Sequence, residues 1–106
     1  MDIMGMMKKA QALQAKLQEA QDELGRLEVV GSSGGGMVAV TLTAKGEMKA
    51  VRIDPSLLTS ADKEMLEDLI IAAFSDAKNK ADRAAAEKMQ ELTAGLPLPP
   101  GMKAPF

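Results

Sequence analysis

The side chains that most often carry catalysis are absent, because the 106 residues include no histidine and no cysteine. A nucleophile would have to be serine, threonine or lysine, with a carboxylate or a lysine as its base. No serine has an activating partner spaced beside it in the sequence. The serines fall in predicted turns or on a predicted helix face, at Ser32, Ser33, Ser56, Ser60 and Ser75. The sequence therefore predicts no catalytic residue and no enzyme activity.

Paired carboxylates are the remaining candidates for acid–base chemistry. Asp68 lies within one turn of both Glu64 and Glu67. These acids fall near the start of a predicted helix, where the helix dipole favours negative charge. A solvated acidic face explains them without any chemistry. Without histidine or thiolate ligands, we expect no metal site and no cofactor.

Basic side chains fall in two groups on two predicted helices. The first group is Lys8, Lys9 and Lys16, which precede every acid of that helix except Asp2. The second group is Lys78, Lys80, Arg83 and Lys88. The net charge of −2 and the pI near 5.1 argue weakly against nucleic-acid binding, which usually accompanies a basic excess. Composition alone favours ordinary solvated helix faces over arms that contact an anion.

The element between the two helices is predicted to be a small antiparallel sheet. Apolar Val38, Val40 and Leu42 alternate with small or polar residues, as in a half-buried strand. A second strand spans residues 49–53 after a tight turn in which Gly46 supplies a positive φ. A sheet of two or three strands cannot bury its apolar face alone. The helices, or a second subunit, must therefore cover it.

A further strand is predicted at residues 27–31, followed by a glycine-rich segment at residues 32–36. Such a segment can cradle phosphate when it opens a helix. Here it precedes a strand, and the sequence lacks the GxxxxGK[ST] pattern. We therefore interpret the glycines as a hairpin turn or bulge.

The first helix is predicted to span residues 3–27 with a sustained heptad pattern. One heptad position is occupied by Ile3, Ala10, Leu17 and Leu24, and the other by Met6, Leu13, Ala20 and Leu27. So narrow an apolar seam is typical of a helix that packs on another helix. The spacing does not decide whether that partner lies in the same chain or in a second one.

The second helix is predicted to span residues 61–93, after a connector at residues 55–58. Thr59 is the preferred N-cap and Ser60 the alternative. About thirty residues of helix extend for roughly 45 Å, which exceeds the length of strands of about 20 Å. We expect the apolar first half to lie on the sheet and the half from Lys78 onward to project.

The domain is predicted to end at residue 94 and to precede a proline-rich tail, residues 95–106. The tail should be extended, as a loose terminus or as a peptide ligand for a partner. No apolar run is long enough to span a membrane, and residues 1–5 lack the features of a secretory signal. We expect a cytoplasmic location.

Six short strings in a fixed order are similar to the YbaB/EbfC family of bacterial nucleoid-associated proteins. They are SGGGMV (33–38), KGE (45–47), VRIDP (51–55), EMLEDLI (64–70), AAF (72–74) and LPPG (98–101). The methionine-rich and glutamine-rich opening, residues 4–17, is similar as well. The resemblance covers nearly the whole chain, and the order and spacing of the strings make it specific.

The resemblance implies an α+β fold, with two layers in the order α-β-β-β-α, and an intertwined homodimer with projecting helical arms. It implies that the partners are duplex DNA in the nucleoid and a second copy of the chain, with effects on DNA shape and gene expression. It implies neither a membrane nor a small-molecule substrate. Because no helix-turn-helix or aromatic stacking platform is visible, binding should be largely independent of DNA sequence. A protein-interaction module with incidental DNA contact is the alternative.

The resemblance attributes DNA binding to the arms, so both basic groups become candidate phosphate contacts. These are Lys8, Lys9, Lys16, Lys78, Lys80, Arg83 and Lys88. Residues expected to pack in the core or between subunits are Leu13, Leu17, Leu24, Val38, Val40, Leu42, Leu69, Ile70 and Phe74.

Overall fold

A computed structural model describes residues 2–59 and 62–94 of the chain. Its elements follow the predicted order of a helix, three strands and a long helix, with one short helix added. They are α1 (Ile3–Arg26), β1 (Glu28–Ser33), β2 (Val38–Thr43), β3 (Met48–Ile53), α2 (Pro55–Thr59) and α3 (Lys63–Ala94). The three strands form one antiparallel sheet in the order β1-β2-β3. The predicted α+β class and its α-β-β-β-α order are therefore confirmed.

The turns between strands use glycine where the backbone needs a positive φ. Gly46 has a φ of 93° in the turn between β2 and β3, as predicted. The glycine-rich connection is shorter than expected, because Ser32 and Ser33 belong to β1. Only Gly34–Gly36 form the connecting 3₁₀ turn, and all three have positive φ values, which residues with a side chain rarely adopt.

The hydrophobic core lies between the sheet and α3. Val38, Val40 and Leu42 are fully buried on one face of β2, and Ala73 and Ala77 are fully buried on the facing side of α3. α3 makes its sheet contacts mainly with β1 and β2. The alanines of α3 and Gly31 of β1 allow the helix to approach the sheet closely.

α1 packs mainly against the C-terminal part of α3 and contacts β2 to a smaller extent. Ala20 and Leu24 are buried there, whereas Ile3 and Met6 are more than 60% exposed. The heptad seam is thus used within the chain only near its C-terminal end. We call α1 and the C-terminal part of α3 the arm. The described chain is elongated, with extents of 72 × 26 × 16 Å.

The predicted connector at residues 55–58 is instead the short helix α2. Proline is favoured at the first position of a helix because its missing N–H would have no partner there. The Ser56 N–H donates to Asp54 Oδ1 at 2.9 Å, which satisfies another free donor of the first turn.

The prediction that Thr59 caps the long helix is wrong. The Thr59 hydroxyl donates to the Ser56 carbonyl oxygen at 3.0 Å and closes α2. Asp62 has the capping role, because the Met65 N–H donates to its Oδ1 at 2.9 Å. Because α2 extends to Thr59, α3 begins at Lys63, which is later than predicted. The alternative cap Ser60 and the tail at residues 95–106 lie outside the described residues.

No helix within the described residues is long and apolar enough to cross a membrane.

Candidate nucleic-acid interface

The three lysines of α1 lie on the exposed part of the arm. Lys8, Lys9 and Lys16 are all exposed, and none forms an ion pair within residues 2–59 and 62–94. Lys9 and Lys16 are two turns apart and line the same shallow groove on α1. These ammonium groups are available to an anion without first breaking a contact within the chain.

Arg83 is the comparable residue on α3. It is exposed and forms no ion pair with the described residues. Lys78, by contrast, forms an ion pair with Asp82, one turn further along the helix. Their side chains are 47% and 62% exposed, and exposed pairs of this kind contribute little to stability. Lys78 can therefore exchange Asp82 for another anion at small cost.

Lys80 is held against the sheet. Its Nζ donates to the Val30 carbonyl oxygen at 2.9 Å and lies 3.3 Å from Asp76 Oδ2. The same carboxylate oxygen accepts the Ser32 N–H at 3.0 Å. This hydrogen bond, together with that from Lys80, lowers the pKa of Asp76 below its ordinary value. α3 thus still lies over β1 at Lys80, so the projecting part begins later than Lys78.

Lys88 joins the two helices of the arm. Its ammonium group forms an ion pair with Glu23 of α1 and lies 3.8 Å from Glu91 of α3. The hydrogen bond with Glu23 is the main cause of the raised pKa of Lys88. The side chain of Lys88 is only 33% exposed. In the isolated chain, this cation holds α1 against α3.

The structure therefore divides the predicted cations into two classes. Lys8, Lys9, Lys16 and Arg83 are unpaired within the described residues, whereas Lys78, Lys80 and Lys88 have acidic partners. The pairs between Lys78 and Asp82 and between Asp76 and Lys80 have the i,i+4 spacing that a sequence can reveal. The contacts of Lys80 with Val30 and of Lys88 with Glu23 join residues far apart in the sequence, which helical spacing cannot reveal.

The predicted packing residues fall into three levels of exposure. Leu24, Val38, Val40 and Leu42 are buried, and Leu13, Leu17, Leu69 and Ile70 are partly buried. Phe74, one of only two phenylalanines in the chain, is 36% exposed. So large an apolar side chain at the surface of a small domain indicates an interaction site when other apolar residues lie nearby.

The apolar side chains of β3 are left largely uncovered. Val51 pairs in register with buried Val40 and so lies on the helix-facing side of the sheet, yet it is 43% exposed. α3 covers β1 and β2 but leaves this strand open. We call the following exposed apolar residues of β3, α2 and α3 the open side: Met48, Val51, Leu58, Ile71 and Phe74.

The acidic side chains of the described residues do not converge on a metal-binding group. Residues 2–59 and 62–94 contain no group of three or more acidic side chains that could hold a metal ion. Glu64 and Asp68 line a shallow groove beside Met65 and Leu69. The arrangement provides positive charge and apolar surface, which are suited to binding.

The known proteins most informative about these surfaces are similar over almost the entire chain. Residues 1–96 match the sequence model of the YbaB/EbfC DNA-binding family. A nucleoid-associated protein of Rhizobium meliloti (strain 1021) is 58% identical over 105 residues, covering 99% of this chain and 98% of that protein. A nucleoid-associated protein of Brucella ovis is 59% identical over the same length and with the same coverage.

A solved structure has the same fold. The crystal structure of an uncharacterized protein from Helicobacter pylori superposes with a TM-score of 0.67 at 25% sequence identity. The match covers 91% of this chain and 97% of that one. The helix-sheet-helix arrangement therefore persists although three quarters of the aligned residues differ.

Proposed function

Because the chain belongs to the YbaB/EbfC DNA-binding family, we propose that it is a nucleoid-associated protein that binds duplex DNA as a homodimer. Binding alters the conformation or organisation of the DNA and so affects gene expression, without any enzymatic step. The family match over residues 1–96 is the observation that carries this proposal. The unpaired cations of the arm supply the physical means.

The arm contacts phosphate through the cations that have no partner in the chain. These are Lys8, Lys9, Lys16 and Arg83, and Lys78 joins them by exchanging Asp82 for a phosphate. Lysine and arginine on a helix can bind phosphate without reading base sequence. With few contacts and a net charge of −2, binding is weak, salt-sensitive and largely independent of sequence.

The homodimer forms through the open side. Met48, Val51 and Phe74 expose between 36% and 48% of their surface, and a second copy would remove that apolar surface from water. A sheet of three strands cannot bury its apolar face alone, and α3 covers mainly β1 and β2. Two arms then project from one dimer, which doubles the number of cations that one DNA molecule can meet.

A protein-interaction module is the second candidate, and the start of α1 favours it. Ile3, Met4, Met6 and Met7 are between 58% and 71% exposed. Flexible methionine side chains adapt to varied partners. This candidate predicts a stable co-purifying protein and no salt-sensitive affinity for DNA.

The test is a titration of a fluorescent duplex with the full-length protein at several salt concentrations, followed by anisotropy. We expect a log–log slope of roughly −3 to −6, which corresponds to about three to seven neutralised phosphates. No binding at low salt would refute the proposal and favour the interaction module.

A matched pair of variants locates the contact. Lys9→Met with Lys16→Met removes two exposed cations from each arm, and the magnitude of the salt slope should decrease by about 1.8 for each arm that contacts the duplex. Lys63→Met with Arg52→Met removes two exposed cations at the sheet end of the molecule and should leave the slope unchanged. Equal effects of the two double variants would contradict binding through the arm.

A further inference from the structure

α3 is fastened to β1 at three consecutive residues of the strand. We propose that Gly31, Asp76 and Lys80 are positioning residues that fix the direction of the arm relative to the sheet and thereby let its cations reach DNA phosphates. This inference rests on the proposed DNA binding and assigns Lys80 a different role from the direct phosphate contact that the sequence suggested.

Gly31 is the point of closest approach. A Cβ built on Gly31 would lie 2.6 Å from the Ala77 Cα and would also collide with the Ala73 carbonyl oxygen and the Ala77 nitrogen. All of these are backbone atoms of α3, which cannot move aside as the end of a long side chain can. The helix therefore lies directly against the strand at this residue.

Asp76 and Lys80 bind the residues on either side of Gly31. The Ser32 N–H donates to Asp76 at 3.0 Å, and Lys80 donates to the Val30 carbonyl oxygen at 2.9 Å. The ion pair between Asp76 and Lys80 joins the two contacts. One contact lies on each side of Gly31 along the strand, so together they oppose both tilting and sliding of α3 against β1.

The direction of α3 sets the position of the arm. About 17 residues of helix follow Ala77, which corresponds to roughly 25 Å. A tilt of about 10° at Gly31 would move the far end by roughly 4 Å, more than the range of a hydrogen bond. Because Lys88 and Glu23 join α3 to α1, the lysines of α1 would move with it.

A positioning role for Asp76 and a simple repulsion between its charge and DNA predict opposite changes in DNA affinity when the carboxylate is removed. If Asp76 acted only as a negative charge near DNA, its removal would strengthen binding. If it positions the arm, its removal weakens binding although the protein becomes less acidic. Asp82 provides a matched control, because it lies on the same helix and its partner, Lys78, is another exposed lysine.

The first experiment compares Asp76→Asn with Asp82→Asn by anisotropy of a labelled duplex across a salt series. We expect Asp76→Asn to weaken binding at least three-fold with an unchanged salt slope, and Asp82→Asn to bind as tightly as the wild type or more tightly. Binding by Asp76→Asn that equals or exceeds the wild type would overturn the proposal. Circular dichroism confirms that each variant is folded.

A second pair keeps the test decisive if Asp76→Asn fails to fold. Lys80→Met should weaken binding without changing the salt slope, because no phosphate contact is lost. Arg83→Met should reduce the magnitude of the slope by about 0.9 for each arm that contacts the duplex, as expected for the loss of one contact per arm. An equal reduction in Lys80→Met would show a direct phosphate contact and overturn the positioning role.

A third measurement needs no DNA. Spin labels on cysteines introduced at Gln14 of α1 and Glu47 of the sheet turn, both exposed, report the angle between arm and sheet when labelled chains are diluted with unlabelled ones. Asp76→Asn should broaden the distance distribution and speed amide exchange at Ser32, whereas Asp82→Asn should change neither. Unchanged distances and exchange in Asp76→Asn would overturn the proposal. If the wild-type chain binds no duplex, the proposed function fails, and these distances alone decide whether Gly31, Asp76 and Lys80 fix the direction of the arm.

Discussion

The two edge strands of the sheet differ in how the rest of the chain uses them. β1 lies beneath α3, and Asp76 and Lys80 bind an N–H and a carbonyl oxygen of that strand. β3 lies outside the cover of α3, and five of its six residues are exposed. An uncovered edge invites pairing with another chain, whereas a capped one is protected. We infer that one edge directs the arm while the other is left for a second copy.

The largest expected effect is on the covered edge. Gly31→Ala should lower the free energy of unfolding by about 3 kcal/mol, because the added methyl group meets the backbone of α3. Urea denaturation followed by circular dichroism measures this change. Gly25→Ala is the matched control, because its new methyl group would meet only the Lys45 side chain at 3.7 Å. That variant should be unchanged or more stable by up to about 1 kcal/mol, and equal losses in both would refute the close contact.

The second effect tests the open side. Phe74→Glu should raise the dimer dissociation constant at least ten-fold, about 1.4 kcal/mol, because a charge would be buried between the subunits. Sedimentation velocity over a concentration series measures it. Val30→Glu is the comparison, since Val30 is 53% exposed and lines a groove with Ala39 and Ala50. If Val30→Glu dissociates the dimer and Phe74→Glu does not, the interface lies on the surface around Val30 and not on the open side.

A smaller effect concerns the cations of α3. Lys78→Glu with Arg83→Glu should leave the dimer intact and weaken DNA binding about ten-fold at moderate salt, with the salt slope reduced by about two contacts for each chain of the dimer that meets the DNA. Lys63→Glu with Arg52→Glu makes the same change in net charge at exposed positions nearer the sheet end. Unchanged affinity in the first double variant would remove α3 from the DNA site. Gel-shift titration measures the DNA affinity, and light scattering measures whether the dimer is intact.

The smallest effect is the pH dependence of the stabilisation by Asp76. Hydrogen bonds from Ser32 and Lys80 hold the pKa of Asp76 below its ordinary value of 3.8. The unfolded chain therefore binds the proton more readily, and the stabilisation by Asp76 is complete above pH 3.8 and is lost as the pH falls through the lowered pKa. The stability difference between the wild type and Asp76→Asn, measured by urea denaturation, should shrink over that acidic range. A difference that stays constant to lower pH would contradict a role for the ionised carboxylate.

Local patterns in the sequence were sufficient for the order of the two long helices and the three strands. The alternation of Val38, Val40 and Leu42 with smaller residues predicted β2, and Gly46 predicted the turn that follows. Both depend on neighbours in the chain, through strand periodicity and backbone freedom. The order of short strings also identified the family, because it reflects the whole chain rather than one site.

Errors appeared where two local solutions compete. Thr59 is an acceptable N-cap by residue type, but its hydroxyl donates to the Ser56 carbonyl oxygen within α2 instead. Asp62 then caps α3. Both residues belong to the types that favour this position, so the sequence alone could not choose between them.

The candidate site could be predicted from the sequence far less completely than the fold could. The sequence determined which side chains are basic and which helix carries each of them. The tertiary structure decided that Lys88 meets Glu23 and that Lys80 meets Val30, while Arg83 remains unpaired among the described residues. Both contacts join residues tens of positions apart, and the contact of Lys80 with Val30 forms where Gly31 lets α3 approach β1 within backbone contact. Charge is a property of single residues, whereas its availability to a partner depends on which distant groups the fold brings within a few ångströms.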